Sequence, residues 1–348
     1  MTGEKYMTWL VSGLSALLFC LADCATGGSE TGTGAAPQAA AVLVDPPART
    51  GAPTLLIAMP SSPNFVEVRR SLVSEVQKSF NIHTFAVGPE TTAVELAAVM
   101  QATNPVCVVL MNNATINLYH QLQTANPTAK TPPAVLLMAS FVEQAQARLR
   151  RATGIAYEVP GVTAFVHLRS VIGTPVNRVG VIYRPPFRAF IQRQTALAAK
   201  EHFELISVSV PNDVTAAGLR EALHSLARKS KVDAVWMLND NGLVRDAEFV
   251  DDTWRTELSD AKMPLIVGVP NLVAPDSPLG TLAVVPDHEA LGLQAANLLF
   301  DLSDNDWRVD AHPVELPLSV KTVVDIKQVR ANFGLRADAL KHIDRALE

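Results

Sequence analysis

Thr54-Leu55-Leu56-Ile57-Ala58-Met59, followed by Pro60-Ser61-Ser62-Pro63-Asn64, is the stretch on which the fold turns. An almost unbroken apolar run of this length makes a strand buried on both faces, as in parallel sheets. The Pro/Ser/Asn turn then opens a segment whose apolar positions Val66, Leu72, Val73 and Val76 recur at helical spacing. Strand, turn and helix in that order are one βα unit.

Outward from this unit the alternation repeats. It predicts strands at Ile82–Val87, Val106–Met111, Ala134–Met138 and Gly154–Tyr157, with helices around Val94–Met100 and Ile116–Leu122. After a short helix over Thr163–Ile172 the pattern restarts, with strands at Val179–Tyr183, Leu205–Val210, Val232–Leu238, Pro264–Val269 and Gly280–Val285. Helices are expected over Phe190–Phe203, Ala216–Ser230 and, in more polar form, Asp246–Leu258. Thr215 or Asp213 is placed to cap the second of these, and Asp287 to cap a helix over Glu289–Leu302. The tail supplies a strand near Val314–Val320 and a helix near Ile326–Phe333. The fold class is therefore α/β, as two Rossmann-like lobes with parallel sheets around a central cleft, each half about 110–120 residues long. Residues 51–165 form lobe 1, completed by about 281–310; residues 166–280 form lobe 2, and 311–348 a C-terminal hinge strand and helix.

The N-terminal part reads as an export signal. Thr8–Ala22 is apolar, follows Lys5 and is short for a membrane span. Leu21-Ala22-Asp23-Cys24 resembles a bacterial lipobox, with Cys24 as the lipidated residue and Asp23 standing where a small residue is usual. Cleavage after Ala22 or Gly27, releasing a soluble periplasmic protein, is the alternative. Residues 25–50, rich in Gly, Ala, Ser, Thr and Pro without periodicity, read as a flexible tether.

Composition narrows the function. The chain is 48% hydrophobic and 18% charged, as a packed globular body requires, and its formal net charge of −5 gives no basic footprint for nucleic acid. With Cys20 in the signal and Cys24 carrying lipid, Cys107 is left alone in an apolar run and reads as a small buried hydrophobe. No G-x-S-x-G, H-E-x-x-H, C-x-x-C, Walker or dinucleotide fingerprint occurs, and the eight histidines are not spaced as metal pairs. No cofactor, metal or catalytic residue is implied. Asp287-His288-Glu289 is better explained as a capped helix start than as acid–base machinery.

Ligands of open parallel sheets bind beyond the carboxyl ends of the strands. That rule selects Ser61, Ser62, Asn64, Asn112, Asn113, Ser140 and Phe141 in lobe 1, and Tyr183, Arg184, Asn239, Asp240, Asn241 and Asn271 in lobe 2. Each has a plainer alternative. The Ser, Asn and Asp residues suit turns and helix caps, Phe141, Tyr183 and Phe187 suit a core, and Arg184 suits a solvated surface.

From about Ala152 onward the chain resembles the ABC-transporter substrate-binding proteins of the tryptophan/tyrosine-binding type, which have the type I periplasmic binding protein fold. The resemblance is carried by Ala152-Thr153-Gly154, Asn177-Arg178-Val179-Gly180-Val181-Ile182-Tyr183, Val232-Asp233-Ala234-Val235 leading to Asp240-Asn241, Pro286-Asp287-His288-Glu289-Ala290-Leu291-Gly292, and Asn332-Phe333-Gly334-Leu335. It implies a non-enzymatic, two-lobed binder in the periplasm or cell envelope that closes on a small molecule and passes it to a membrane permease. Met138-Ala139-Ser140-Phe141 replaces the acidic Asp-Pro turn of such proteins, so the ligand implied is amino-acid-like or else apolar or amphipathic. An envelope lipoprotein with a sensory or assembly role, acting through protein contacts, is the alternative function; its partner and the permease would both be met at the membrane.

Overall fold

In the computed structural model, which describes residues 43–274 and 279–347, β1 (Thr54–Met59) is the centre of the first lobe. Leu55 through Met59 are fully buried, because both faces of the strand are covered. After β1 come α1 (Pro63–Val76), β2 (Asn81–Ala86), α2 (Ala93–Thr103), β3 (Cys107–Met111), α3 (Asn113–Ala125), β4 (Ala134–Leu137), α4 (Val142–Gln146) and β5 (Ala152–Gly154). The five strands are all parallel, in the order β2-β1-β3-β4-β5. Alternation splits β1 between two cores: Leu55, Ile57 and Met59 pack on α1, and Leu56 and Ala58 pack toward α2 and α3. Cys107 is fully buried, and burial pushes its thiol pKa up, as the reading of a small hydrophobe requires.

Lobe 2 follows with α5 (Gly161–Val171), β6 (Arg178–Tyr183), α6 (Arg188–Lys200), β7 (Glu204–Ser209), α7 (Ala216–His224), β8 (Ala234–Trp236), α8 (Ala247–Phe249), α9 (Thr256–Ala261), β9 (Leu265–Val267) and β10 (Leu282–Pro286). After these come α10 (His288–Asp304), β11 (Val320–Asp325), α11 (Ile326–Asn332) and β12 (Arg345–Leu347). Its sheet runs β12-β11-β10-β9-β8-β6-β7, with β11 antiparallel to β10. The inner order β7-β6-β8-β9-β10 repeats that of lobe 1. Thr215 and Asp287 cap α7 and α10 through their side chains, accepting from Gly218 N and Glu289 N.

Four local departures from the sequence pattern position the site. The fifth strand ends at Gly154 instead of Tyr157, so residues 155–160 leave the sheet as the first crossing between lobes and release Tyr157 and Glu158 toward the cleft. β10 belongs to the second sheet through Leu265–Val267, so within 281–310 it is α10, not the strand, that packs on lobe 1. The tail strand lies at Val320–Asp325, because Pro313 and Pro317 interrupt the run at Val314–Val320; there Glu315 merely bridges Ile155 beside β5. The segment expected as one polar helix is continuous over 247–261 but passes through a π-helical stretch at Val250–Arg255 between α8 and α9, with Trp254 buried and its indole N–H donating to the Leu243 carbonyl at 2.7 Å.

The expected tether ends early. Leu43 packs on the lobe 1 core, and the Asp45 carboxylate accepts from Thr84 N at 2.8 Å, Thr84 Oγ1 at 2.6 Å and Arg69 Nη2 at 2.6 Å. Burial works against this charge, but the Thr84 and Arg69 hydrogen bonds prevail and lower its pKa. The export segment and Cys24 lie outside the described residues. Among the described residues no helix is long and apolar enough to cross a membrane.

The return of α10 to lobe 1 depends on Gly292. A Cβ there would lie 2.6 Å from both the Val68 carbonyl oxygen and Ser71 Cβ of α1, closer than backbone and side chain allow. We therefore expect Gly292→Ala to push the two helices apart and cost about 1–3 kcal/mol, read as a lowered urea midpoint. An unchanged midpoint would show that α1 can give way freely.

Candidate functional site

The carboxyl ends of the two sheets meet at one cleft. In each sheet the order reverses beside the first strand, at β1/β3 in lobe 1 and β6/β8 in lobe 2, and these switch points are where the fold class places ligands.

In lobe 2 that point is filled by the protein itself. Arg184, just after β6, donates from Nε to Asp240 Oδ2 at 2.7 Å and from Nη2 to Asp240 Oδ1 at 2.5 Å. Its Nη1 donates to the Asn212 carbonyl at 3.2 Å. Asp240 is 2% exposed and also accepts from Gly242 N at 3.0 Å, closing a tight turn. Gly242 is required by the pair, since a Cβ there would fall 2.3 Å from the Arg184 guanidinium carbon. Both residues picked from the sequence as ligand contacts are thus spent on each other. Asn241 and Asn271 are exposed, and Tyr183 is half-buried against the lobe 2 core. Asn239 turns toward the cleft and forms no side-chain hydrogen bond with the described residues; Gly268 beneath it leaves the room, as a Cβ there would meet the Asn239 amide at 2.5 Å.

Lobe 1 offers little polarity of its own. Asn112 caps α3, its Oδ1 accepting from Thr115 N at 2.9 Å, while the Asn113 Oδ1 is buried without a partner. Ser62 stands at the N-cap of α1 without a side-chain capping bond, and Ser62 and Asn64 are exposed, whereas Ser61 and Ser140 are half-buried. Asn112, Met138 and Phe141 hold φ values of 82°, 50° and 55° at the ends of β3 and β4. For side chains like Met and Phe this left-handed backbone costs about 1–2 kcal/mol each, and such strain gathers where function needs it.

Phe141 joins the lobes. Its ring lies 4.1 Å from that of Phe187 at 31° and 5.4 Å from that of Phe190 at 90°, and Phe190 leads on to Trp236 at 6.1 Å. Gln144 Nε2 donates to the Pro186 carbonyl at 3.0 Å, and Glu143 pairs with Arg193, so α4 is bound to lobe 2 on three counts. With Phe141 in place the pocket among Phe141, Glu158, Trp236 and Asn239 keeps about 20 Å³, room for one water.

Sequence reading missed the most telling group, Glu158. Its Oε1 accepts from Phe141 N at 2.8 Å on the first interlobe crossing. Burial pushes its carboxyl up to about 7, the Phe141 N–H opposing and the Glu143 charge adding to the rise. The one available signal was a lone acid inside the otherwise apolar run Ala156–Pro160. Beside it, Tyr157 Oη meets His288 Nε2 at 3.0 Å, and His288 Nδ1 meets Glu67 Oε2 at 3.2 Å. Burial raises the pKa of the Tyr157 phenol, so the group stays protonated and the relay binds crossing to helix rather than activating a nucleophile.

No known family pattern matches the sequence, and no curated protein is similar to it. Solved structures do share its fold. The ligand-free, open structure of a substrate-binding protein with adhesive properties from Clostridium difficile superposes with a TM-score of 0.61 at 14% identity, over 85% of this chain and 99% of that one. A conserved domain protein from Vibrio cholerae gives 0.57 at 16% identity over 85% and 99%. An ABC domain from Streptococcus pneumonia, in complex with L-Trp, gives 0.53 at 15% identity over 84% and 100%. The fold is that of the type I periplasmic binding proteins, with two α/β lobes.

Because the folded state holds the Glu158 proton from the ordinary carboxylate range up to about pH 7, it binds more protons there than the unfolded chain. Stability should accordingly fall as pH rises through that window and level off above it. Glu158→Gln should flatten this slope in urea titrations between pH 4.5 and 8. An unaltered slope would place the titration elsewhere.

Proposed function

We propose that this chain is an extracytoplasmic solute-binding protein that captures a small molecule between its lobes and delivers it to an ABC-type membrane permease. The observation that carries the reading is the meeting of two sheets of like strand order, carboxyl edges together, with Phe141 of one lobe seated among Phe187 and Phe190 of the other. Lobes joined by short crossings can part and close again, and closure desolvates whatever lies between them. The L-Trp complex of the streptococcal neighbour supports a small ligand, and the open, ligand-free clostridial neighbour supports lobes that separate.

The ligand surface of this reading is Phe141, Ser140 and Asn239 in the cleft, with Ser61, Ser62, Asn64, Asn112, Asn113, Tyr183, Asn241 and Asn271 at its approaches. Arg184 and Asp240 shape the floor. Cys24 anchors the chain by lipid to the envelope membrane, where the permease also lies.

A second reading draws on the narrowness of the cleft, about 20 Å³ with Phe141 in place. It is an envelope lipoprotein with a sensory or assembly role through protein contacts. Screening amino acids, amines, sugars, nucleosides and lipids by thermal denaturation separates the two. A binder gains about 5 °C at a hundredfold excess of its ligand over Kd. No shift with any class, together with stable copurification of another envelope protein, would sink the solute-binding reading.

Lipid anchorage has its own test. Cys24→Ser should move the mature protein from the membrane fraction to the soluble periplasmic fraction. Equal partition of both forms would leave Cys24 without its proposed role.

A further inference from the structure

Phe141 supplies two things at once to the rest of the cleft. Its ring fills an aromatic box on lobe 2, 4.1 Å from Phe187 and 5.4 Å from Phe190. Its backbone N–H donates to the Glu158 carboxylate at 2.8 Å. The connected atoms N, Cα, Cβ and phenyl ring of Phe141 are the skeleton of a 2-arylethylamine. The residue holds this pose in the left-handed region, at φ 55°, a conformation that is costly for a Phe.

Charge points the same way. The nearby cations are committed, Arg184 to both oxygens of Asp240 and Arg193 to Glu143. A ligand carboxylate would therefore find no unengaged guanidinium among these groups and would face Glu158. An ammonium would find Glu158 half-buried, its carboxylate accepting from Phe141 N, with Asn239 lining the same pocket. Desolvated carboxylates favour a cationic partner, and aromatic faces add cation–π attraction.

We propose that the cleft binds arylethylamines that lack a carboxylate, the ring replacing that of Phe141 against Phe187 and Phe190 and the ammonium replacing the Phe141 N–H at Glu158. Phe141 is then an intramolecular occupant that the ligand displaces as the lobes part and reclose. The inference rests on the solute-binding reading and names its ligand class.

Calorimetric titration of the full mature chain with tyramine, tryptamine and 2-phenylethylamine tests it, against tyrosine, tryptophan, 3-phenylpropionate and a set of neutral sugars and nucleosides. The amines should bind at least about tenfold more tightly than the matched amino acids, and 3-phenylpropionate should not bind. Glu158→Gln should weaken amine binding by about tenfold or more, since a charge-assisted contact is lost. Phe141→Ala should tighten it by about threefold or more, because a competing occupant is removed; a wall residue would have the opposite effect. Far-ultraviolet circular dichroism and the melting temperature of each variant report that it is folded. Amino acids binding as well as their amines, Glu158→Gln without effect, or weaker binding in Phe141→Ala would each overturn the inference. Binding of a sugar or nucleoside but no amine would overturn it while leaving the solute-binding reading intact, and binding of nothing would remove both.

Discussion

The close crossing of α10 over α1 at Gly292 is the constraint on which the two-lobed arrangement depends. It brings the chain back to lobe 1 after the second sheet has gained its fifth strand, and a third crossing then becomes necessary to reach β11. Side chains hold these crossings in register. Gln294 on α10 donates to Glu315 Oε2 at 2.8 Å and to the Leu316 carbonyl at 3.0 Å, and accepts from Leu318 N at 3.1 Å. Lys321 pairs with Asp287 at 2.8 Å, and Asp287 N donates to the Ser319 carbonyl at 3.0 Å. Short backbone segments tied in this way keep their polar groups partnered, as a hinge on the solute-binding reading needs.

The lobes contribute unlike surfaces to what the hinge brings together. Lobe 2 has used its strongest charges internally, because an unpaired Arg184 or Asp240 at the switch point would carry a large desolvation cost. What remains is aromatic. Lobe 1 answers with the strained segment around Phe141 and, from the crossing itself, the Glu158 carboxylate. The slot is thus mainly apolar and aromatic, with Glu158 and Asn239 among its polar groups, an arrangement that would orient the small ligand of the solute-binding reading.

Much of this was legible in the chain because strands buried on both faces and capped helices leave strong local marks. The run at β1 and the capping residues Thr215 and Asp287 stand where the pattern puts them. The allegiance of an element is a different matter. Periodicity identifies Leu282–Pro286 as a strand but says nothing of which sheet accepts it, and that was settled by pairing with β9. Arg184 and Asp240 were each visible as polar groups at strand ends, yet their bidentate pairing joins positions 56 residues apart. Glu158 was hidden by its apolar neighbours, which made the crossing look like more strand. Phe141 was picked as a candidate ligand contact, but its stacking depends on a left-handed backbone that no sequence rule assigns to Phe.

Tyr157 and Glu158 are adjacent, and that adjacency couples charge to motion. The Tyr157 hydroxyl is held by His288, itself held by Glu67 of α1, so this stretch of the crossing is fixed to lobe 1. Glu158 cannot travel far toward a ligand. On the solute-binding reading it is lobe 2 that comes to it, bringing Phe187, Phe190 and Trp236 and removing water from the carboxylate. Burial raises the Glu158 carboxyl to about 7, so on the solute-binding reading closure over an ionised Glu158 without a counter-charge is opposed by desolvation. On the arylethylamine proposal, a cation in the cleft removes that opposition, so its binding free energy favours the lobes being together.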